Sequence, residues 1–241
     1  MKIDVLGVGV DDVDRAGLMA AVARLLERGE RSTIAYANVH VLHVAYSDLE
    51  LRAFLHGADV VYCDGQGVVL GARLLGRHLP ERMTGADWIK DLAAVAEDRR
   101  WRIYWMGGKP GVTVRAAHVL RRDHPDLHID ADHGFHTDND ALIARINAAR
   151  PHILLVGMGT PLQERWVAAH RARIDAPIVW VTGATADFVS GEVSRGPAFL
   201  HSRQEWLARL LVDPRRLAGR YLVGNALFLA RITRAKLTES K

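Results

Sequence analysis

The run Val60-Val61-Tyr62-Cys63-Asp64-Gly65-Gln66-Gly67 ends an apolar segment in a carboxylate and follows it with two glycines. A carboxylate at a strand's carboxyl end can act as general base toward an acceptor hydroxyl, and Gly65 and Gly67 leave the backbone open to a ligand. Asp64 fits the cap of a following helix equally well. A second candidate is Tyr104-Trp105-Met106-Gly107-Gly108-Lys109-Pro110-Gly111, where backbone N–H groups and the Lys109 ammonium either cradle a phosphate or form a plain tight turn. It is neither a P-loop nor a dinucleotide fingerprint, which needs a third glycine and a distal acid. In Leu79-Pro80-Glu81-Arg82-Met83-Thr84-Gly85-Ala86-Asp87, the Arg82 guanidinium can hold a diphosphate through paired hydrogen bonds or simply pair with Glu81 or Asp87. Thr84 is a candidate helix cap there. From Ile153 to Trp166 an apolar run meets Gly157, Gly159, Thr160 and Pro161, then Gln163, Glu164 and Arg165. That reads as strand, turn and helix, with Pro161 at the first helical position and polar side chains at the strand's carboxyl end. Asp187, in Gly183-Ala184-Thr185-Ala186-Asp187-Phe188, follows another apolar run and either binds a ligand or caps a helix.

Other chemistries find little support. His40 and His43 can share a helix face, but no third ligand stands at recognisable spacing, and no His-Glu-x-x-His or Cys-x-x-Cys occurs. No metal is expected. Cys63 reads as a small apolar thiol ending a buried strand rather than a nucleophile, and no G-x-S-x-G elbow is present.

These residues need strands to carry them to one edge. Strand-like runs cover Ile3 to Val10, Ser32 to Ala37, Asp59 to Cys63, Arg102 to Met106, Leu127 to Ala131, His152 to Val156 and Pro177 to Val181. Helix-like runs lie between them at Arg15 to Arg28, Val39 to Ala45, Gly85 to Arg99, Gly111 to Asp123, Asn139 to Ala149 and Pro161 to Arg173. The alternation predicts a doubly wound α/β domain with a mostly parallel, Rossmann-like sheet over residues 1–194. Beyond it, Gln204 to Val212 and Arg216 to Lys236 read as helices of an appendage spanning 195–241.

The chain has 241 residues, 49% of them hydrophobic and 25% charged, enough for one core of ordinary size. The net charge of +4 is unevenly placed: residues 195–241 hold ten Lys and Arg against three Asp and Glu, so the preceding residues are net negative. A basic end suggests an anionic partner, either a membrane surface or a phosphate-bearing substrate, with a solvated helical face as the plain reading. A lone cysteine, and the lack of a secretory leader or a run of about 18 apolar residues, lead us to expect a cytoplasmic protein. Tyr221 to Ile232 is apolar enough to lie on a bilayer, with Arg231, Arg234 and Lys236 toward acidic headgroups, or else to pack on the parent domain.

Taken in order, the motifs resemble the WecG/TagA/CpsF glycosyltransferases, glycosyltransferase family 26. The resemblance rests on Ala37-Asn38 with His40, Cys63 to Gly67, Pro80-Glu81-Arg82 with Gly85-Ala86-Asp87, Gly107 to Gly111 and Gly134-Phe135. It continues through Val156 to Glu164 and Glu205-Trp206-Leu207 with Asp213-Pro214-Arg215-Arg216-Leu217. It implies an inverting, metal-independent transfer of an N-acetylhexosamine, a hexose or a uronic acid. The donor is a UDP-sugar and the acceptor a sugar on undecaprenyl diphosphate, for teichoic acid, capsule or exopolysaccharide assembly at the inner membrane face. It implies Asp64 as base, Asn38, Arg82 and Gln163 lining its pocket with the last two assisting the departing diphosphate, and Arg209, Arg216 and Arg220 holding a diphosphate near the membrane. No cofactor and no nucleic acid are expected, and a homo-oligomer is left open. Tyr36 stands where many members carry a threonine, and Ala186 where an aromatic is common, so the donor sugar stays open. A dinucleotide-dependent oxidoreductase and a non-catalytic membrane scaffold are the competing readings.

Overall fold

The computed structural model describes residues 1–193 and 223–239. The chain opens with strands β1 (Lys2–Val5) and β2 (Val8–Asp11), paired antiparallel as a separate two-stranded sheet. The single strand expected over Ile3 to Val10 is broken because Leu6 and Gly7 both take left-handed backbone angles, φ 57° and 81°, the geometry of a tight hairpin turn.

Helix α1 (Arg15–Arg28) is capped by the Asp14 carboxylate, which accepts from Gly17 N at 2.7 Å, and stops at Gly29 with φ +66°. Strand β3 (Ser32–Ala37) leads into α2 (Val39–Ala45), then α3 (Leu49–Gly57), β4 (Val60–Cys63) and α4 (Gln66–Leu74). Helix α5 (Gly85–Asp98) begins at Thr84, whose N–H and hydroxyl both donate to Asp87 Oδ2 at 3.0 and 2.7 Å, a cap that keeps the preceding Pro-Glu-Arg loop in place. Strand β5 (Ile103–Gly107), α6 (Val112–Asp123), β6 (Ile129–Asp132), α7 (Asn139–Ala149), β7 (Ile153–Gly157), α8 (Leu162–His170), β8 (Ile178–Val181) and the short α9 (Thr185–Val189) complete the domain.

The main sheet is six-stranded and all parallel, in the order β4-β3-β8-β7-β5-β6. Every residue of β4, β5, β7 and β8 is buried, as expected of strands covered by helices on both faces. The expected Rossmann-like α/β architecture is therefore present. Pro161 sits one position before the first residue of α8 rather than at it. Helices α3, α4 and α9 were not marked in the sequence. Both α4 and α9 lie directly behind strand ends, where glycines obscure the helical signal.

Two features of this sheet position chemistry. Strand β5 leads outward through α6 to β6, while β7 leads back through α8 to β8, so the topological switch point of the sheet lies between the carboxyl ends of β5 and β7. Behind β4 and β8, Trp88 stacks on Trp180 at 4.0 Å and donates to the Tyr62 hydroxyl at 3.1 Å, anchoring α5 beneath the β4 edge.

The last described element, α10 (Gly224–Glu239), packs on α2 and α4. Phe228 and Ile232 are buried, and the bare α carbon of Gly71 admits them: a Cβ there would stand 2.6 Å from Phe228 Cζ. Arg231 donates to the His43 carbonyl at 3.2 Å and lies 3.9 Å above the Tyr46 ring. Leu227, Leu229 and Leu237 face outward. The segment read as able to lie on a bilayer thus turns one face to the domain and another to solvent. Among the described residues, no helix is long and apolar enough to cross a membrane. The proposed boundary at 195, the helix over 204–212 and the candidates Arg209, Arg216 and Arg220 lie outside the described residues.

Candidate active site

Asp64 follows β4 directly, with its N–H donating to Ala37 O at 2.8 Å, so it stands beside the end of β3 at the sheet's carboxyl edge. It is partly exposed. The position before α4 belongs to Gly65, whose φ of +104° suits glycine, so Asp64 is not the helix cap. Asn38, the last residue before α2, holds both elements: its Oδ1 accepts from Val41 N at 2.9 Å, and its Nδ2 donates to Asp64 Oδ2 at 3.0 Å. One amide thus caps a helix and orients the candidate base.

Arg82 arrives from the loop before α5. Met83 N donates to Cys63 O at 2.8 Å, stitching that loop to the end of β4 and setting Arg82 one residue from the stitch. Its guanidinium stands 3.9 Å from Asp87 Oδ2, so the expected pairing with Asp87 is present at long range. Glu81 turns away and accepts from Arg15 N at 2.8 Å. Asp64, Asn38 and Arg82 therefore gather at one end of the sheet.

The glycine turn after β5 is elsewhere. Four strand spacings separate β4 from β5, about 19 Å at the usual interstrand distance, so Lys109 does not form one cradle with Asp64. Gly107 is needed for close approach rather than for a ligand: a Cβ would stand 2.3 Å from the Gly157 carbonyl oxygen. Gly108 N already donates to that oxygen at 3.0 Å, which removes its N–H from a phosphate cradle. Gly157 is equally confined, its Cβ position lying 2.7 Å from Gly183 O. Gly159 has φ +80° and open space before it, and Lys109 is exposed.

Between these two ends lies a closed ring of polar groups. Gln163 is fully buried: its Oε1 accepts from Gly183 N at 3.0 Å, and its Nε2 donates to the Tyr36 hydroxyl at 3.3 Å and Glu164 Oε1 at 2.8 Å. Thr160 Oγ1 donates to the same Glu164 oxygen at 2.8 Å and lies 3.3 Å from the Tyr36 hydroxyl. Gln163 and Glu164 thus form the floor that joins β3, the β7–α8 turn and the β8–α9 turn, and do not line an open pocket as expected from sequence. Burial pushes the Glu164 carboxyl up from its ordinary value and the Tyr36 hydroxyl well up. Burial likewise holds the Cys63 thiol far above the thiolate range, consistent with its reading as an inert thiol. Asp187 lies in the first turn of α9, partly exposed, and the residue before that helix is Ala184, so Asp187 is not its cap.

A cluster that the sequence reading passed over ends β6. Asp132, His133 and His136 bring possible metal-ligand atoms within 4.8 Å of one another. The two imidazoles stack nearly parallel, 4.1 Å apart at 10°, so their in-plane lone pairs run side by side rather than converging on an ion. Arg145 occupies the other carboxylate oxygen of Asp132 at 3.1 Å, and His133 Nδ1 accepts from Phe135 N. The Asp-His-x-x-His spacing was visible in the sequence; the stacking was not.

The family model for the WecG/TagA/CpsF glycosyl transferases matches residues 3–241. The chain belongs to that family. Among its relatives are proteins of Staphylococcus aureus strains NCTC 8325 / PS 47 and COL, named N-acetylglucosaminyldiphosphoundecaprenol N-acetyl-beta-D-mannosaminyltransferase. Each is 24% identical over 239 residues, which cover 98% of this chain and 93% of the relative. The chain is accordingly a glycosyltransferase, and the oxidoreductase and scaffold readings fall away.

Proposed function

We propose that this glycosyltransferase moves N-acetylmannosamine, or a closely related sugar, from a UDP donor to a sugar carried on a polyprenyl diphosphate. Transfer proceeds with inversion, without a divalent metal, at the inner face of the cytoplasmic membrane. The observation that carries the reading is Asp64: a partly exposed carboxylate at the sheet's carboxyl edge, oriented by Asn38 and flanked by the Arg82 loop. The sugar and acceptor class come from the relatives' names.

In this scheme the Asp64 carboxylate takes the proton of the acceptor hydroxyl as its oxygen bonds to the anomeric carbon. The bond from that carbon to the β-phosphate oxygen breaks on the opposite face, and UDP leaves with the electron pair. Arg82 supplies positive charge for the departing diphosphate. The basic 195–241 segment and the outward leucines of α10 support a peripheral seat on an anionic membrane.

The test is transfer from UDP-N-acetylmannosamine to a short-chain polyprenyl-diphosphate N-acetylglucosamine, with and without chelator. Asp64→Asn is expected to lower kcat by about 10²- to 10⁴-fold with little change in donor KM, the range removed with a general base. Chelator is expected to leave the rate unchanged. Full activity in D64N would overturn the assignment of the base.

A further inference from the structure

The ring beneath the site has one atom without a partner. Glu164 Oε2 is buried and makes no hydrogen bond, while Oε1 of the same carboxyl accepts from both Thr160 and Gln163. The residue is 2% exposed. The directions of the remaining bonds follow from this. Thr160 gives its proton to Glu164, so the Tyr36 hydroxyl gives its own to Thr160 and accepts from Gln163 Nε2, which closes the ring.

Among the described residues no hydrogen bond or ion pair joins Glu164 to a cation: the adjacent Arg165 turns outward to Asp48 and Glu50 at 2.8 and 3.3 Å. An ionised Glu164 would bury an anion with one oxygen unsolvated. A protonated one buries only a hydroxyl, which is far less costly. The start of α8 favours a carboxylate in its first turn, but that contribution is smaller than the cost of burying an unpaired charge.

We propose that Glu164 works as a protonated, uncharged positioning residue, fixing Thr160 and Gln163 by hydrogen bonds without placing a negative charge beneath the donor diphosphate. This rests on the UDP-sugar reading above. Ionised, the same side chain would accept the Thr160 and Gln163 hydrogen bonds more strongly, but it would bury a charge with Oε2 unpartnered and set that charge against the diphosphate. Burial, the first cause of its raised pKa, opposes that ionisation, and Asp48 adds a smaller push in the same direction.

The sign of the linkage is fixed by the same shift. The folded state holds this proton more tightly than the unfolded state, so stability from it is complete below the ordinary glutamate range and declines as pH rises through the raised folded pKa. Donor binding should fall in the same window, toward the limiting slope of about tenfold per pH unit for a single required proton.

The experiment measures donor KM and kcat for UDP-N-acetylmannosamine against pH in the wild type and in Glu164→Gln, with thermal melts at each pH. A protonated-carboxyl infrared band in the wild type that is absent in E164Q supports the proposal. So does a wild-type donor KM that climbs with pH while that of E164Q stays flat. A wild type whose infrared spectrum shows no protonated carboxyl overturns it, and so does a KM rise that persists unchanged in E164Q. Because the infrared band needs no donor, it decides the proton on Glu164 even if UDP-sugars fail to bind. That failure would strike the proposed function instead. Should E164Q not fold, the wild-type band and its loss on alkaline titration carry the same decision.

Discussion

Asn38 serves two masters, and its removal should show both. Asn38→Ala deletes the cap of α2, at a cost of about 0.5–2 kcal/mol, and removes the amide that donates to Asp64 Oδ2. The expected outcome is a lowered Tm together with a fall in kcat larger than the stability loss explains, measured well below the melting range. Asn38→Asp separates the two effects, since it keeps the cap but sets a carboxylate against Asp64; its Tm should recover while kcat stays low. Tyr36 offers a complementary case. Its hydroxyl fills the space against Gly183, where a Cβ would stand 2.6 Å away, so Tyr36→Phe should cost about 1–3 kcal/mol through the unmet Gln163 and Thr160 groups. Chemical denaturation measures this directly.

At the scale of elements, the sequence was most legible where apolar runs were long. The bounds of α1, α2, α7 and β3 agree with the runs read from the sequence, and the structure shows why the three helices begin where they do: the Asp14, Asn38 and Asp138 side chains cap them. Asp64 was legible for the same reason: a carboxylate closing a run of four buried residues has one place to go. What was not legible depended on strand order. Nothing in Gly107-Gly108-Lys109 tells that β7, β8 and β3 intervene before β4, so how far the glycine turn stands from Asp64 could not be read from the sequence. Gln163 and Glu164 looked like pocket residues because polarity at a strand end usually means exposure, and the ring with Tyr36 needs three elements brought together. Gly107 is confined by backbone, which cannot rotate aside, and Gly107→Ala puts a methyl group into the Gly157 main chain. Loss of soluble protein, or a strongly lowered Tm, is expected from that single change.

For the molecule as a whole, the seat of α10 should respond to acid. His43 has its pKa lowered by burial and by Arg231, so the docked state binds its proton less readily than the released one. Docking is then complete above the ordinary histidine range and weakens as pH falls through it. Hydrogen exchange over residues 224–239 is expected to rise between about pH 7.5 and pH 5.5, and His43→Gln should flatten that response. Gly71→Val should raise the same exchange at every pH, because its side chain takes the space of Phe228. The contact between Gly71 and Phe228 reaches further than a surface attachment. Helix α4 starts at Gln66, two residues after Asp64, and carries Gly71 about one and a half turns later, so a shortened chain lacking α10 would unseat the very helix that follows the proton acceptor. Inactivity of such a truncation would mix two defects, and tethering it artificially to lipid would restore one of them only.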